Sequence, residues 1–209
     1  MDPNSINQWL CSLLTSNGIG TLPQSPFVAV KYIPETKTME AIFRTIIVGP
    51  EAYIPIVHFL NTATEEHTLV VYIDNDGGSL CTGMLLAQAF KTTKVKVITK
   101  AITIAASSAA LIFTNGHEME CLPGGHLMYH TASYINIGKT NDHLNQAKYI
   151  HILVDRIMQE TKEVGLINQE EHDLINRRGS DIFIPGKLAR ERLKTGRSVR
   201  QLYPIGGAE

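Results

Sequence analysis

The segment Leu69-Val70-Val71-Tyr72-Ile73 constrains the fold of this chain more than any other. Five consecutive apolar residues without helical spacing predict a strand, of the kind covered on both faces. It runs into Asp74-Asn75-Asp76-Gly77-Gly78-Ser79. The two glycines allow backbone angles that other residues resist and expose N–H groups with no side chain in the way. Helical spacing follows over Thr82–Lys91, and a further strand pattern over Val95–Thr99. A strand, a turn, a helix and another strand make a crossover unit, and such units build parallel sheets. Ligands of open α/β sheets gather at strand carboxyl ends, where the double glycine falls. A simple tight turn accounts for the same residues, since Asp-Gly is a common turn signal.

The alternation extends along the chain. Phe27–Ile33 reads as a strand, Thr45–Val48 as a short buried strand, and Glu51–Leu60 as a helix. After Val95–Thr99 come a helix at Ser107–Phe113, a strand around Met119–Leu122 and another at His126–His130. One long helix is expected over 142–163, with Leu144, Ala147, Ile150, Val154, Ile157 and Met158 in its apolar stripe. Asn168, with Glu171 three residues on, has the spacing of a capping box opening a further helix. The fold class is therefore α/β. Residues 1–40 are expected to be an N-terminal extension. There Ser5 caps a short amphipathic helix over 6–14, and Pro23 and Pro26 keep the following segment extended. The main domain is expected over 41–196, and a tail over 197–209.

Three residues stand out chemically. Ser107 lies in the small-residue run Ile104-Ala105-Ala106-Ser107-Ser108-Ala109-Ala110, where a strand hands over to a helix. Small neighbours let backbone approach a substrate, and the first N–H groups of a helix lack internal partners. Tight helix packing explains the same run. His130 ends a strand, and Asp181 sits between Gly179-Ser180 and Ile182-Phe183-Ile184. A carboxylate there is either partly buried, and so in need of a partner, or a turn residue.

The composition excludes several classes. A net charge of −1 leaves no electrostatic footprint for nucleic acid. No apolar run reaches the ~20 residues of a membrane span. Cys11, Cys81 and Cys121 are odd in number, widely spaced and without a CxxC, which points to a reducing, cytoplasmic setting. The start, Met1-Asp2-Pro3-Asn4, lacks a basic n-region. No metal-ligand cluster and no GxxxxGK[ST] occurs, so neither a metal nor a nucleotide cofactor is expected.

Taken together, these motifs resemble the proteolytic subunit of the Clp protease. Tyr72–Gly78 followed by Thr82-Gly83-Met84 is similar to that family's strand, double-glycine turn and first long helix. Ala105–Ala109 resembles its nucleophile motif, and Cys121-Leu122-Pro123 with Met128-Tyr129-His130 its histidine strand. Ser180–Phe183 resembles its acid motif, and Pro185–Ala189 the start of its closing helix. The resemblance implies a spiral of ββα units, as in the Clp and crotonase folds, with helix 142–163 as a protruding handle. It also implies a serine endopeptidase with Ser107 as nucleophile, His130 as general base and Asp181 as the orienting acid. Gly78 and Ser108 would supply the oxyanion N–H groups. Protomers would assemble into rings, usually of seven, and two stacked rings would enclose a chamber for peptides or unfolded proteins. An AAA+ unfoldase is a possible partner. The sequence departs from the family at Asn75-Asp76, where Ser-Pro is usual, and at Ser108-Ala109, where Met-Gly is usual. Residues 1–40 do not resemble its axial-loop N-terminus. Other readings are a capsid-maturation type of processing protease, a crotonase-like acyl-CoA enzyme and an inactive ring subunit.

Overall fold

The computed structural model describes residues 27–133, 137 and 139–202, with only the backbone at 199 and 200. The helix expected over 6–14 lies outside these, as does the segment 134–138 apart from Ile137. Among the described residues, seven strands form one mixed sheet. They are β1 (Val28–Ile33), β2 (Thr38–Ile47), β3 (Thr68–Gly78), β4 (Lys96–Ala106), β5 (Glu118–Cys121), β6 (His126–Tyr129) and β7 (Ile182–Pro185). The order is β1-β2-β3-β4-β6-β7, with β5 also beside β4. β1 and β7 run antiparallel to their neighbours, and the remaining pairs are parallel. The α/β class expected from the alternation is the one observed.

β1 and β2 form a hairpin joined by a 3-10 turn, Pro34–Thr36. Period-two alternation gives each an apolar face: Val28, Val30 and Tyr32 on one strand, Met39, Ala41 and Phe43 on the other, all buried. Residues 28–40 are thus part of the sheet, and a boundary at residue 40 would cut β2. Near its end β2 carries a bulge, with Thr45 at φ 57° and a register shift between Thr45 and Ile47. The bulge leaves Ile46 exposed and Ile47 buried, so the short strand expected at Thr45–Val48 is neither separate nor uniformly buried.

Helix α1 (Ile54–Thr62), after the 3-10 segment Pro50–Tyr53, connects β2 to β3, and α2 (Leu80–Thr92) connects β3 to β4. Strands added in one direction through right-handed crossovers place both helices on the same face. Leu69, Val71 and Ile73 are accordingly fully buried while Val70 and Tyr72 are half-exposed. That corrects the expectation of a strand covered on both faces. Ser79 caps α2, its Oγ accepting from the Thr82 N–H at 3.3 Å. The short helix α3 (Ser108–Thr114) follows β4 and is buried throughout.

β4 has two partners in succession. Ile98–Ala101 pairs with β5 and Ile104–Ala106 with β6. Between them the chain turns through Leu122-Pro123-Gly124-Gly125, closed by the Gly125 N–H to Leu122 O at 2.9 Å. A Cβ on Gly125 would sit 3.0 Å from Ala101 O. This step delivers β6 to the carboxyl end of β4. His117 braces the same region: Val97 N–H donates to its Nδ1 at 3.0 Å, so the proton is on Nε2, which faces Phe90 O at 2.8 Å.

The long helix α4 (Thr140–Val164) is stopped by Gly165 at φ 92°. α5 (Gln169–Arg178) opens on the capping box expected at Asn168 and Glu171, both bonds 2.9 Å long. α6 (Gly186–Thr195) packs beside α5 through a bidentate Arg192–Glu171 pair at 2.8 and 3.0 Å. α7 (Val199–Leu202) ends the described chain.

Candidate active site

The helix expected to begin at Ser107 begins at Ser108, because Ser107 adopts φ 55°, ψ −124°. That is neither strand nor helix, and a non-glycine residue held there costs about 1–3 kcal/mol. Several contacts hold it. The Ser107 N–H donates to Met128 O of β6 at 2.9 Å, and Ser107 O accepts the Leu111 N–H at 3.1 Å. The strand, the sharp turn and the helix push the side chain out of the sheet, the geometry that exposes a nucleophile at the top of a parallel sheet.

Only small neighbours permit this. A Cβ on Gly77, itself at φ 101°, would lie 2.6 Å from Ser107 Cβ and 2.7 Å from Ala106 O. A Cβ on Gly83 of α2 would meet Ser108 Cβ at 3.0 Å. Gly78, at φ 139°, would place one 2.3 Å from Ile47 O. Asn75 sets the turn. It is buried, its Oδ1 accepts the Gly77 N–H at 2.8 Å, and its Nδ2 donates to Arg44 O at 3.0 Å. Sequence reasoning missed this role. The only available signal was an Asn two residues before a glycine in a turn, a common way for a side chain to bond its own backbone.

Ser107, Ser108, Gly78 and His130 line one cavity of about 310 Å³. Its apolar wall comes from Leu80, Leu111, Val154, Ile157 and Met158. The Ser108 side chain is buried and its Oγ has no hydrogen-bond partner among the described residues. Ser107 is half-exposed instead.

His130 follows the last residue of β6. β6 and β7 pair as Tyr129↔Ile182, so the next residues outward are His130 and Asp181. The antiparallel pairing thus brings the chain at His130 and the chain at Asp181 to the same end of the two strands. Asp181 is exposed, however, and is not among the residues that line the cavity. Among the described residues, no hydrogen bond or ion pair joins His130 to Asp181 or to Ser107. The structure brings four of the five expected residues together and leaves Asp181 at the flank.

Beneath His130, Tyr129 is fully buried and its hydroxyl lies 2.8 Å from Thr114 Oγ1. Burial pushes its phenol well above the ordinary range, an effect the Thr114 bond only partly offsets, so it stays protonated. Burial also raises the Cys121 thiol, partly offset by Arg190. Among the described residues no group of three or more His, Cys, Asp or Glu could hold a metal ion, and no helix is long and apolar enough to cross a membrane.

A parallel-rich α/β sheet that carries a strained serine at a strand–helix junction, with a histidine in the same cavity, has the layout of a serine hydrolase. The family model described as Clp protease matches residues 50–189. The chain belongs to the Clp protease family, whose members are serine peptidases with a ClpP-like fold. The match begins at the 3-10 segment before α1 and ends within α6.

Proposed function

We propose that this protein is a serine endopeptidase that hydrolyses peptides or unfolded protein segments, with Ser107 as nucleophile. The observation that carries the reading is the strained backbone of Ser107 in the cavity that also holds His130. Strain of this kind persists only where the surroundings over-determine it, and it gathers at functional sites.

In this reading His130 accepts the proton of Ser107 as Oγ attacks the peptide carbonyl. The tetrahedral oxyanion is stabilised by the N–H groups of Gly78 and Ser108, both of which line the cavity. His130 then gives its proton to the departing amine, leaving an acyl-Ser107. Water, deprotonated by His130, attacks the ester, and collapse releases the carboxylic acid and restores the Ser107 hydroxyl. Asp181 orients the imidazole and stabilises its charged form. The pairing of the adjoining residues, Tyr129 with Ile182, supports this role by bringing the two to the same end of β6 and β7.

Ring assembly, in sevens, with two rings meeting through their handles, fits the exposed Leu144, Tyr149 and Ile152 on α4. ATP dependence would come from an AAA+ partner, and the absence of a CxxC supports a cytoplasmic setting. The test is hydrolysis of a quenched peptide by the full chain and by Ser107→Ala, with native mass measured on both. Loss of turnover in an assembly of unchanged mass supports the proposal. Full turnover by the variant overturns it.

A further inference from the structure

The cavity beside Ser107 carries a charge that the hydrolytic scheme does not use. Asp76 lines it, is exposed, and lies two residues before Gly78 on the same face of β3. No lysine or arginine among the described residues lines the cavity, and its other polar lining residues are serines, His130 and Tyr129, whose hydroxyl is engaged with Thr114. The rest of the lining is largely apolar, with Leu80, Leu111, Met128, Val154, Ile157 and Met158. A carboxylate without a protein cation at the mouth of such a pocket is a ready partner for a cation on the substrate.

A charge at Asp76 also bears on the proposed reaction. Asp76 and Gly78 line the same cavity, so the Asp76 charge shares the space in which the Gly78 N–H is proposed to hold the oxyanion. Like charges in one cavity repel, and more strongly where water is partly excluded. A neutral substrate bears this repulsion in full in the transition state, whereas a lysine or arginine paired with Asp76 cancels it.

We infer that Asp76 makes the protein selective for peptides with a lysine or arginine close to the scissile bond. The inference rests on the hydrolase reading above. The preference for the cation is expected to be roughly five- to tenfold in kcat/KM, the worth of one partly solvated charge pair. Removing the Asp76 charge is expected to raise kcat/KM for neutral peptides by roughly threefold.

The test uses quenched peptides of one sequence that differ at a single position near the cleaved bond: arginine, citrulline, norleucine or glutamate. They are assayed with the full chain and with Asp76→Asn, Asp76→Lys and Ser107→Ala. Preference for arginine over citrulline, lost in Asp76→Asn and inverted toward glutamate in Asp76→Lys, supports the proposal. Ser107-dependent cleavage with equal kcat/KM for arginine and citrulline overturns it and leaves the hydrolase reading intact. Asp76→Asn slowing every peptide equally also overturns it and assigns Asp76 to support of the reacting groups. Cleavage of all peptides by Ser107→Ala, or of none by the full chain, overturns the hydrolase reading and this proposal with it.

Discussion

The hydroxyl of Tyr129 donates a hydrogen bond to Thr114 Oγ1 across 2.8 Å of buried core. The direction follows from proton count, because the single hydroxyl proton of Thr114 goes to Ala110 O, also at 2.8 Å. The bond ties the residue before His130 to the last residue of the helix that begins after Ser107. Tyr129→Phe is expected to cost about 1 kcal/mol of stability, and a double-mutant cycle with Thr114→Val should show coupling of about the same size. Urea unfolding of the four proteins checks it, and additive effects would show that the bond contributes nothing.

Ser107 and Ser108 are neighbours of opposite character. Ser108 Oγ is buried without a partner, so Ser108→Ala removes an unsatisfied hydroxyl and is expected to be neutral or to stabilise by up to about 1 kcal/mol. Peptidase activity should survive, since the backbone N–H remains. Thermal unfolding and turnover measured side by side would expose an error if Ser108→Ala, rather than Ser107→Ala, abolished activity.

Gly77→Ala tests how far the serine turn depends on close approach. The new Cβ would meet Ser107 Cβ at 2.6 Å, and φ 101° is strained for any side chain. A loss of roughly 2–4 kcal/mol is expected, with activity falling with it. A variant as stable as the parent would mean that β3 and the turn are not packed as described.

His67 provides a pH signature. Burial is the main cause of its lowered pKa, the nearby Lys37 charge adds to it, and its ring packs on Tyr32 and Phe59. The unfolded chain therefore binds a proton near pH 6.5 that the folded chain resists. The stability contribution is intact above that pH and is lost as pH falls toward and through the folded value. NMR titration should place His67 below 6.5, and His67→Gln should flatten this part of the stability profile. A His67 titrating above 6.5 would contradict the packing.

Much of the architecture could be read from periodicity. The run at Leu69–Ile73 and the helical spacing at Thr82–Lys91 differ in repeat, and the Asn168/Glu171 cap is local chemistry. β1 and the first residues of β2 fall within the expected extension because alternation locates a strand without saying which sheet receives it. The turn at Ser107 was hidden for another reason. Its small neighbours suit a helix start as well as a strained elbow, and the choice is made by Met128 O and Gly77, both distant in sequence. Asn75 through Arg44 O, and Tyr129 through Thr114, also act on partners distant in sequence. Asp181 is legible from the glycine before it and the apolar run after it, but its exposure depends on what packs beside β7, which no motif encodes.

The most direct test of the central claim is covalent labelling of the full chain with a fluorophosphonate, followed by intact mass and peptide mapping. One adduct per chain, on Ser107 and absent in both Ser107→Ala and His130→Ala, is the expected result. An adduct on Ser108, or none on an assembled and folded protein, would contradict it.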